Sequence, residues 1–297
     1  MNAPDDITQI FNQYRVLLFS IAYRLLGSAT DAEDIVQEAF LRWLQATDDE
    51  VRSPRAYLST VVVRLCLDQL RSARVQREVY VGPWLPEPVL TNQSNEPDET
   101  SIMAESLSFA FLVMLEKLGP LERAIFLLRE VFDYDYPEIA AIVGKSEANC
   151  RQILHRAHQH LGRRPRFDVS REQQNRIVSQ FLRASTSGDM DGLLHLLKDD
   201  IVYTGDGGGK VSAGLRPVQG AGKAARGMLG GLRWVPAGAR ARIEEVNGQP
   251  AIVIYLDDGR PYGVALFDIA GEQIQSVYFV VNPDKLHWLN QGKTFVK

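Results

Sequence analysis

Cysteine is scarce in this chain. The two present, Cys66 and Cys150, stand far apart on apolar, helix-like stretches. No CxxC or Cys/His ligand spacing accompanies them, so the pattern argues against a structural zinc and for two reduced core thiols. Long apolar runs are also missing. None approaches the ~20 residues that span a bilayer, and the opening MNAPDDITQI is acidic and polar, unlike a signal peptide. The expectation is a cytoplasmic protein with no membrane partner. Nor is there an excess of positive charge: 33 Lys and Arg face 37 Asp and Glu, a net charge of −4. That excludes a chain coated in positive charge but leaves nucleic-acid binding open, because affinity depends on local basic patches. No internal repeat is visible.

What is present is an ordinary globular composition, 45% hydrophobic and 24% charged, over 297 residues, enough for two or three compact domains. Charge is segregated along the chain. Arg52, Arg55, Arg64, Arg71, Arg74 and Arg77 face only Asp68, whereas Asp31, Glu33, Asp34 and Glu38 form an acidic run upstream. Opposite signs on neighbouring helices predict two different partners, a nucleic acid and a protein surface.

Helical spacing of Ile7, Ile10, Phe11, Tyr14, Leu17, Leu18 and Ile21 predicts a first helix, stopped at Gly27. Thr30 and Glu33 read as the capping box of a second, whose apolar stripe is Ile35, Val36, Ala39, Phe40, Trp43 and Leu44. Ser53-Pro54 opens a third, running to about Arg77. Residues 79–104, rich in proline, predict an extended linker in which Trp84 and Leu85 dock on a neighbouring domain. A second helical block follows and ends in a helix-turn-helix pattern. Ile139, Ala140 and Val143 face inward, Gly144 turns, and Ser146 caps a helix with Cys150, Leu154, Ala157 and Leu161 on its inner face. Its outer side offers Asn149, Arg151, Gln152, His155 and Arg156, a set suited to reading the major groove. Beyond Val169 come two amphipathic helices, a Gly-rich loop Gly205–Lys210, a short helix near 219–232 and four strand-like runs. Asn247-Gly248 is a hairpin signal. Helices followed by an antiparallel meander define an α+β domain.

The run Asp31-Ala32-Glu33-Asp34-Ile35-Val36-Gln37-Glu38-Ala39-Phe40 is similar to the helix by which sigma factors grip the large subunits of RNA polymerase. The basic helix after it resembles the sigma segment that reads and melts the −10 element, and the helix-turn-helix resembles the domain that reads the −35 element. Two helical domains joined by a linker, with no third between them, resemble extracytoplasmic-function sigma factors. The C-terminal domain resembles the cone-shaped SnoaL-like fold. The phrases Gly82–Pro88, Asp206–Lys210 and Asn282–Leu286 resemble those of a sigma subgroup that carries it.

The resemblance implies a multidomain chain. Residues 1–78 and 105–167 would be all-α sigma domains, joined by a linker at 79–104, and 168–297 an α+β regulatory domain. It implies polymerase core and promoter DNA as partners. Asp34, Gln37 and Glu38 share one helix face and would meet the polymerase. Arg52, Arg55, Arg64, Arg71 and Arg74 would meet the −10 DNA, with the loop Ala46–Ser53 capturing an unstacked base. Asn149, Arg151, Gln152, His155 and Arg156 would meet the −35 DNA. Regulation within the chain would fall to Trp84, Leu85, Asp206, Lys210, Asn282, Pro283, Asp284, Lys285 and Leu286. Two departures, Arg64 where many members carry Asn and Ile153 where a basic residue is usual, leave the promoter sequence open.

Catalysis in a cone-shaped fold needs a buried acid or base. The candidates are His195, Asp206 and Asp268, and none reads as a base: His195 as a half-exposed helix residue, Asp268 as a turn residue at a strand end, Asp206 as part of a flexible or interface loop. The expectation is no enzyme activity and no cofactor, with room for a small ligand in the C-terminal domain. Two other readings stay open: a stand-alone ligand-sensing repressor or activator, and a SnoaL-type enzyme with a DNA-binding appendage.

Overall fold

The computed structural model describes residues 4–46, 53–77, 80–91, 106–162 and 169–290; for 4–6 and 73–77 it describes the backbone alone. Helix α1 (Pro4–Leu26) ends where Gly27 turns left-handed at φ +68°. Helix α2 (Ala29–Gln45) starts two residues later. Its cap is Ser28, whose hydroxyl accepts from the Asp31 N–H at 3.1 Å, so the expected Thr30/Glu33 capping box does not form. The physical reason lies far along the chain. The Glu87 carboxylate accepts the Ala29 and Thr30 amides at 3.0 Å each, filling the place a local box would take. Helix α3 (Pro54–Arg77) opens on proline, with the Ser53 hydroxyl 3.4 Å from the Ala56 N–H. Val62 and Val63 are fully buried in it, an instance of packing overriding β-propensity.

The second block comprises α4 (Phe109–Leu115), α5 (Pro120–Glu130), α6 (Tyr136–Val143) and α7 (Glu147–Leu161). Gly144, at φ +66°, makes the turn between α6 and α7, and Ser146 caps α7 through the Asn149 N–H. The two helical blocks share one core: Leu58, Val62 and Cys66 of α3 belong to the same apolar cluster as Ile125, Ile139 and Ile142. Across this seam the Ser59 and Tyr134 hydroxyls lie 2.7 Å apart, both residues buried.

The C-terminal domain holds α8 (Arg171–Ser187), α9 (Met190–Leu196), β1 (Leu197–Asp206), β2 (Val218–Gln219), α10 (Ala221–Gly231), β3 (Arg240–Val246), β4 (Gln249–Tyr255), β5 (Pro261–Ala270) and β6 (Gln273–Val280). The sheet order is β2-β1-β6-β5-β4-β3. The antiparallel meander of four strands is there, but β1 joins it parallel to β6, so the sheet is mixed and six-stranded. Strand β1 is absent from the sequence-based expectation because its charged Lys198-Asp199-Asp200 breaks the alternation and its partner is distant in sequence. One sheet face packs on α8–α10. The other packs on the linker and α4, with Leu85, Phe109, Val253, Leu266 and Val280 in one cluster.

The linker 80–91 is extended, as the sequence predicts, but is no solvated tether. Leu85 through Val89 are buried, and the Thr91 N–H donates to the Glu245 carbonyl at 3.0 Å. The Asn247-Gly248 turn forms at φ +53° and +73° and also serves as a joint. Buried Asn247 donates to the Tyr23 hydroxyl at 2.7 Å and the Leu107 carbonyl at 3.1 Å, and accepts from the Val89 N–H at 3.1 Å.

Candidate functional site

Three surfaces collect the residues singled out in the sequence. The first lies between linker and C-terminal domain. Asp206, the last residue of β1, is fully buried, and its carboxylate accepts four donors: the Tyr80 hydroxyl (2.6 Å), the Leu85 N–H (2.9 Å), the Gly208 N–H (3.0 Å) and the Lys285 ammonium (2.7 Å). The Lys285 ammonium also donates to the Leu85 carbonyl at 2.5 Å and sits 4.2 Å from the Trp84 ring centre and 4.9 Å from that of Tyr80. Asn282 donates to the Tyr80 hydroxyl at 2.9 Å. Burial first, then the bond to Asp206, pushes the Tyr80 phenol well above its ordinary value, so the hydroxyl stays a donor. A buried Asp–Lys pair with its remaining donors and acceptors met is the arrangement in which loss of either partner costs most. The structure thus brings together Trp84, Leu85, Asp206, Asn282 and Lys285. Leu286 packs on the neighbouring sheet face, Pro283 opens a short 3₁₀ turn, and Lys210 pairs with Asp284 in the open at 2.6 Å. The glycines here serve close packing: a Cβ on Gly208 would lie 2.3 Å from Asn282 Nδ2, and one on Gly207 1.8 Å from the Val211 carbonyl oxygen.

Two linker residues extend this cluster to the first helical block. The Trp84 ring covers Gly27, where a Cβ would meet it at 2.8 Å. Glu87 caps α2 as described, takes the Ser28 hydroxyl at 2.9 Å, and offers its carbonyl to the Tyr23 hydroxyl at 2.6 Å. Neither Tyr80 nor Glu87 figures among the sequence-based candidates. Glu87 is one of several acids in the linker, with Glu96, Asp98 and Glu99, and Tyr80 stands in no recognisable pattern.

The second surface is α2. Asp34 and Gln37 are exposed and Glu38 half-exposed, with Arg42 donating to Glu38 at 2.9 Å. Leu41 (53% exposed) and Leu44 (46% exposed) lie along the same face. The sequence reading places Leu44 in the buried stripe; it is exposed instead because Trp43 takes the inward position. Two exposed leucines thus lie beside an acidic row.

The third is the basic helix with the helix-turn-helix. On α7, Arg151, Gln152, His155 and Arg156 are exposed and Asn149 half-buried. Arg151 pairs with Glu147 at 3.1 Å and lies 4.4 Å from the Tyr136 ring centre. Ile153 is buried at 3% exposure, so it belongs to the core face. On α3, Arg64 donates to the Ile142 carbonyl at 3.1 Å and the Ala141 carbonyl at 3.2 Å, closing the C-terminal end of α6. Arg55 stacks 4.7 Å from the Tyr134 ring centre. Arg71 is exposed, paired with Asp68 at 3.2 Å. Arg52, the rest of the loop 47–52 and the Arg74 side chain lie outside the described residues.

Of the acid–base candidates, His195 is exposed, its ring 2.7 Å from the Asp191 carbonyl. Burial raises the Asp268 carboxyl above its ordinary range. Asp206 is tied into the linker cluster. Among the described residues no group of His, Cys, Asp and Glu could hold a metal ion, and no helix is long and apolar enough to cross a membrane.

Two helical modules, the second a helix-turn-helix, preceded by an acidic helix face, are the arrangement of a sigma-class transcription factor. Residues 10–75 match the Sigma-70 region 2 family and residues 108–161 the Sigma-70 region 4 family. The chain belongs to the extracytoplasmic-function (ECF) family of RNA polymerase sigma factors. It is 42% identical over 224 residues to ECF RNA polymerase sigma factor SigJ of Mycobacterium tuberculosis, covering 74% of this chain and 71% of that protein. It is 31% identical over 291 residues to the probable ECF RNA polymerase sigma factor SigI of the same species, covering 96% and 97%. The crystal structure of M. tuberculosis SigJ matches it with a TM-score of 0.74 at 34% identity, covering 94% of this chain and 97% of that one.

Proposed function

We propose that this sigma factor initiates transcription in the cytoplasm through residues 1–78 and 105–167, and that residues 168–297 regulate it within the same chain by clamping the linker. Asp34, Gln37 and Glu38, flanked by exposed Leu41 and Leu44, meet the polymerase core. Arg52, Arg55, Arg64, Arg71 and Arg74 contact the −10 region by phosphate neutralisation. Asn149, Arg151, Gln152, His155 and Arg156 read the −35 region in the major groove. The observation that carries the regulatory part is the buried Asp206–Lys285 pair on Tyr80, Trp84 and Leu85, together with Arg64 bonded to the end of α6. One fixes the linker to the sheet, and the other turns a DNA-facing arginine onto the helix-turn-helix. In this compact arrangement α3 is not free for DNA, so initiation requires the two helical modules to part. No catalysis is assigned to the chain.

The test is reconstitution of the full chain with core polymerase on a promoter library, read as run-off transcripts. The parent is expected to initiate. Asp34→Lys/Glu38→Lys is expected to weaken core binding at least ten-fold with an unchanged melting temperature. Undiminished core binding by that variant would overturn the docking assignment.

A further inference from the structure

Asn247-Gly248 is the one Asn-Gly pair in the sequence. It turns the β3–β4 hairpin, and it also carries a latent reaction. Glycine has no side chain to hinder its nitrogen, so that nitrogen can attack the neighbouring carboxamide. The Gly248 nitrogen gives up its proton and bonds to Cγ of Asn247. The Cγ–Nδ2 bond breaks, and ammonia leaves with a proton. Water then opens the five-membered imide at either carbonyl, leaving aspartate or isoaspartate. The net change is water in and ammonia out, with nothing oxidised or reduced.

Every group in that reaction is held. Asn247 is fully buried. Its Oδ1 accepts from the Val89 N–H at 3.1 Å, and its Nδ2 donates to the Tyr23 hydroxyl at 2.7 Å and the Leu107 carbonyl at 3.1 Å. The nucleophile is held too, since the Gly248 N–H donates to the Thr91 hydroxyl at 3.0 Å. Removing its proton means breaking that bond and setting an anion among buried groups, which is costly. Ammonia leaves only if both Nδ2 bonds break. None of these partners belongs to the C-terminal domain. Val89 and Thr91 are linker, Tyr23 lies on α1, and Leu107 stands just before α4. The pair is therefore quenched from outside its own domain.

We propose that Asn247-Gly248 is a deamidation site protected by the docked linker and helical modules, and that deamidation makes release of the C-terminal domain permanent. That release is the opening proposed above, on which this inference rests. The product does not fit the old place. A carboxylate oxygen where Nδ2 stood would face the Leu107 carbonyl and the Tyr23 hydroxyl. The proton of that hydroxyl already goes to the Glu87 carbonyl at 2.6 Å. A buried charge would thus lie against acceptors with no donor on that side. Isoaspartate would also lengthen the hairpin backbone by one carbon and unsettle the β3–β4 register. A chain held open long enough loses its way back to the docked state.

The experiment ages the full chain in mildly alkaline buffer. It reads deamidation at Asn247 by peptide mass spectrometry, and docking by hydrogen exchange at the Leu90 and Thr91 amides, which donate to the Trp288 and Glu245 carbonyls. Deamidation is expected at least ten-fold slower in the parent than in the urea-unfolded chain. In Asp206→Asn it is expected at least three-fold faster than in the parent, with faster exchange. Thr91→Val frees the Gly248 N–H without touching Asp206 and is expected to speed deamidation at least three-fold by itself. A parent that ages as fast as the unfolded chain overturns the site, and so does faster exchange in Asp206→Asn with deamidation at the parent rate. Unchanged exchange in Asp206→Asn overturns the clamp instead, and Thr91→Val then decides the site, a parent-like rate overturning it. Asn247→Asp, the product itself, is expected to raise exchange at Leu90 and Thr91 at least three-fold; parent-like exchange overturns the permanence of release. If that variant fails to fold, the deamidated fraction of aged parent, separated by its added negative charge, is measured in its place.

Discussion

The two surfaces expected to meet DNA are in opposite states. Helix α7 turns Arg151, Gln152, His155 and Arg156 to solvent. Helix α3, the richer in arginine, has Ser59 buried on Tyr134, Arg55 over the same ring and Arg64 on the last carbonyls of α6. One of the two candidate surfaces is open to solvent; the other is partly occupied by the helical module that carries the first. The difference teaches that charge marks a binding surface without saying whether it is free. Arginine is well suited to both tasks, since its guanidinium serves phosphates and helix-terminal carbonyls alike.

The comparison can be broken most forcefully at its anchor. Lys285→Met leaves the fully buried Asp206 carboxylate without its cation and should destabilise the docked C-terminal domain by about 3–5 kcal/mol. Urea unfolding should show this as a lower midpoint, and proteolysis should cleave the linker faster. An unchanged midpoint would mean the pair is not the anchor. A smaller effect is expected at the seam itself. Arg64→Ala removes two bonds to the end of α6 and should cost about 1 kcal/mol. It should leave α7 folded while speeding hydrogen exchange in α3 and α6, and it should also weaken −10 DNA binding in the polymerase complex. Intact binding there would restrict Arg64 to the seam.

Much of this was legible in the chain. Periodicity, Pro54, Gly144 and Ser146 located the helices that carry the proposed docking and reading residues, because local spacing and caps dictate them. Asn247-Gly248 located a hairpin for the same reason. What stayed hidden was non-local. Strand β1 depends on a parallel partner some 70 residues away, as Val202 pairs with Ser276. The carboxylate that joins Ser28 at the start of α2 comes from Glu87, 58 residues from Ala29. Docking of Trp84 was read from an apolar ring inside a proline-rich linker, whereas Asp206 and Lys285 were singled out by family resemblance. The buried charge pair they form could not be read from spacing, since Asp206 and Lys285 stand 79 residues apart. Tyr80 carries no pattern that would have marked it.

The regulatory proposal predicts that the linker clamp adds to the shared core and the Arg64 bonds in holding α3 against α6. It is tested most directly by the distance between spin labels at Ser72→Cys on α3 and Gln159→Cys on α7, measured in the full chain with and without Asp206→Asn. The parent should give one narrow distribution. Asp206→Asn, which keeps the shape of the carboxylate and removes its charge, should broaden that distribution and shift it to longer distances. An unshifted, equally narrow distribution would contradict the account.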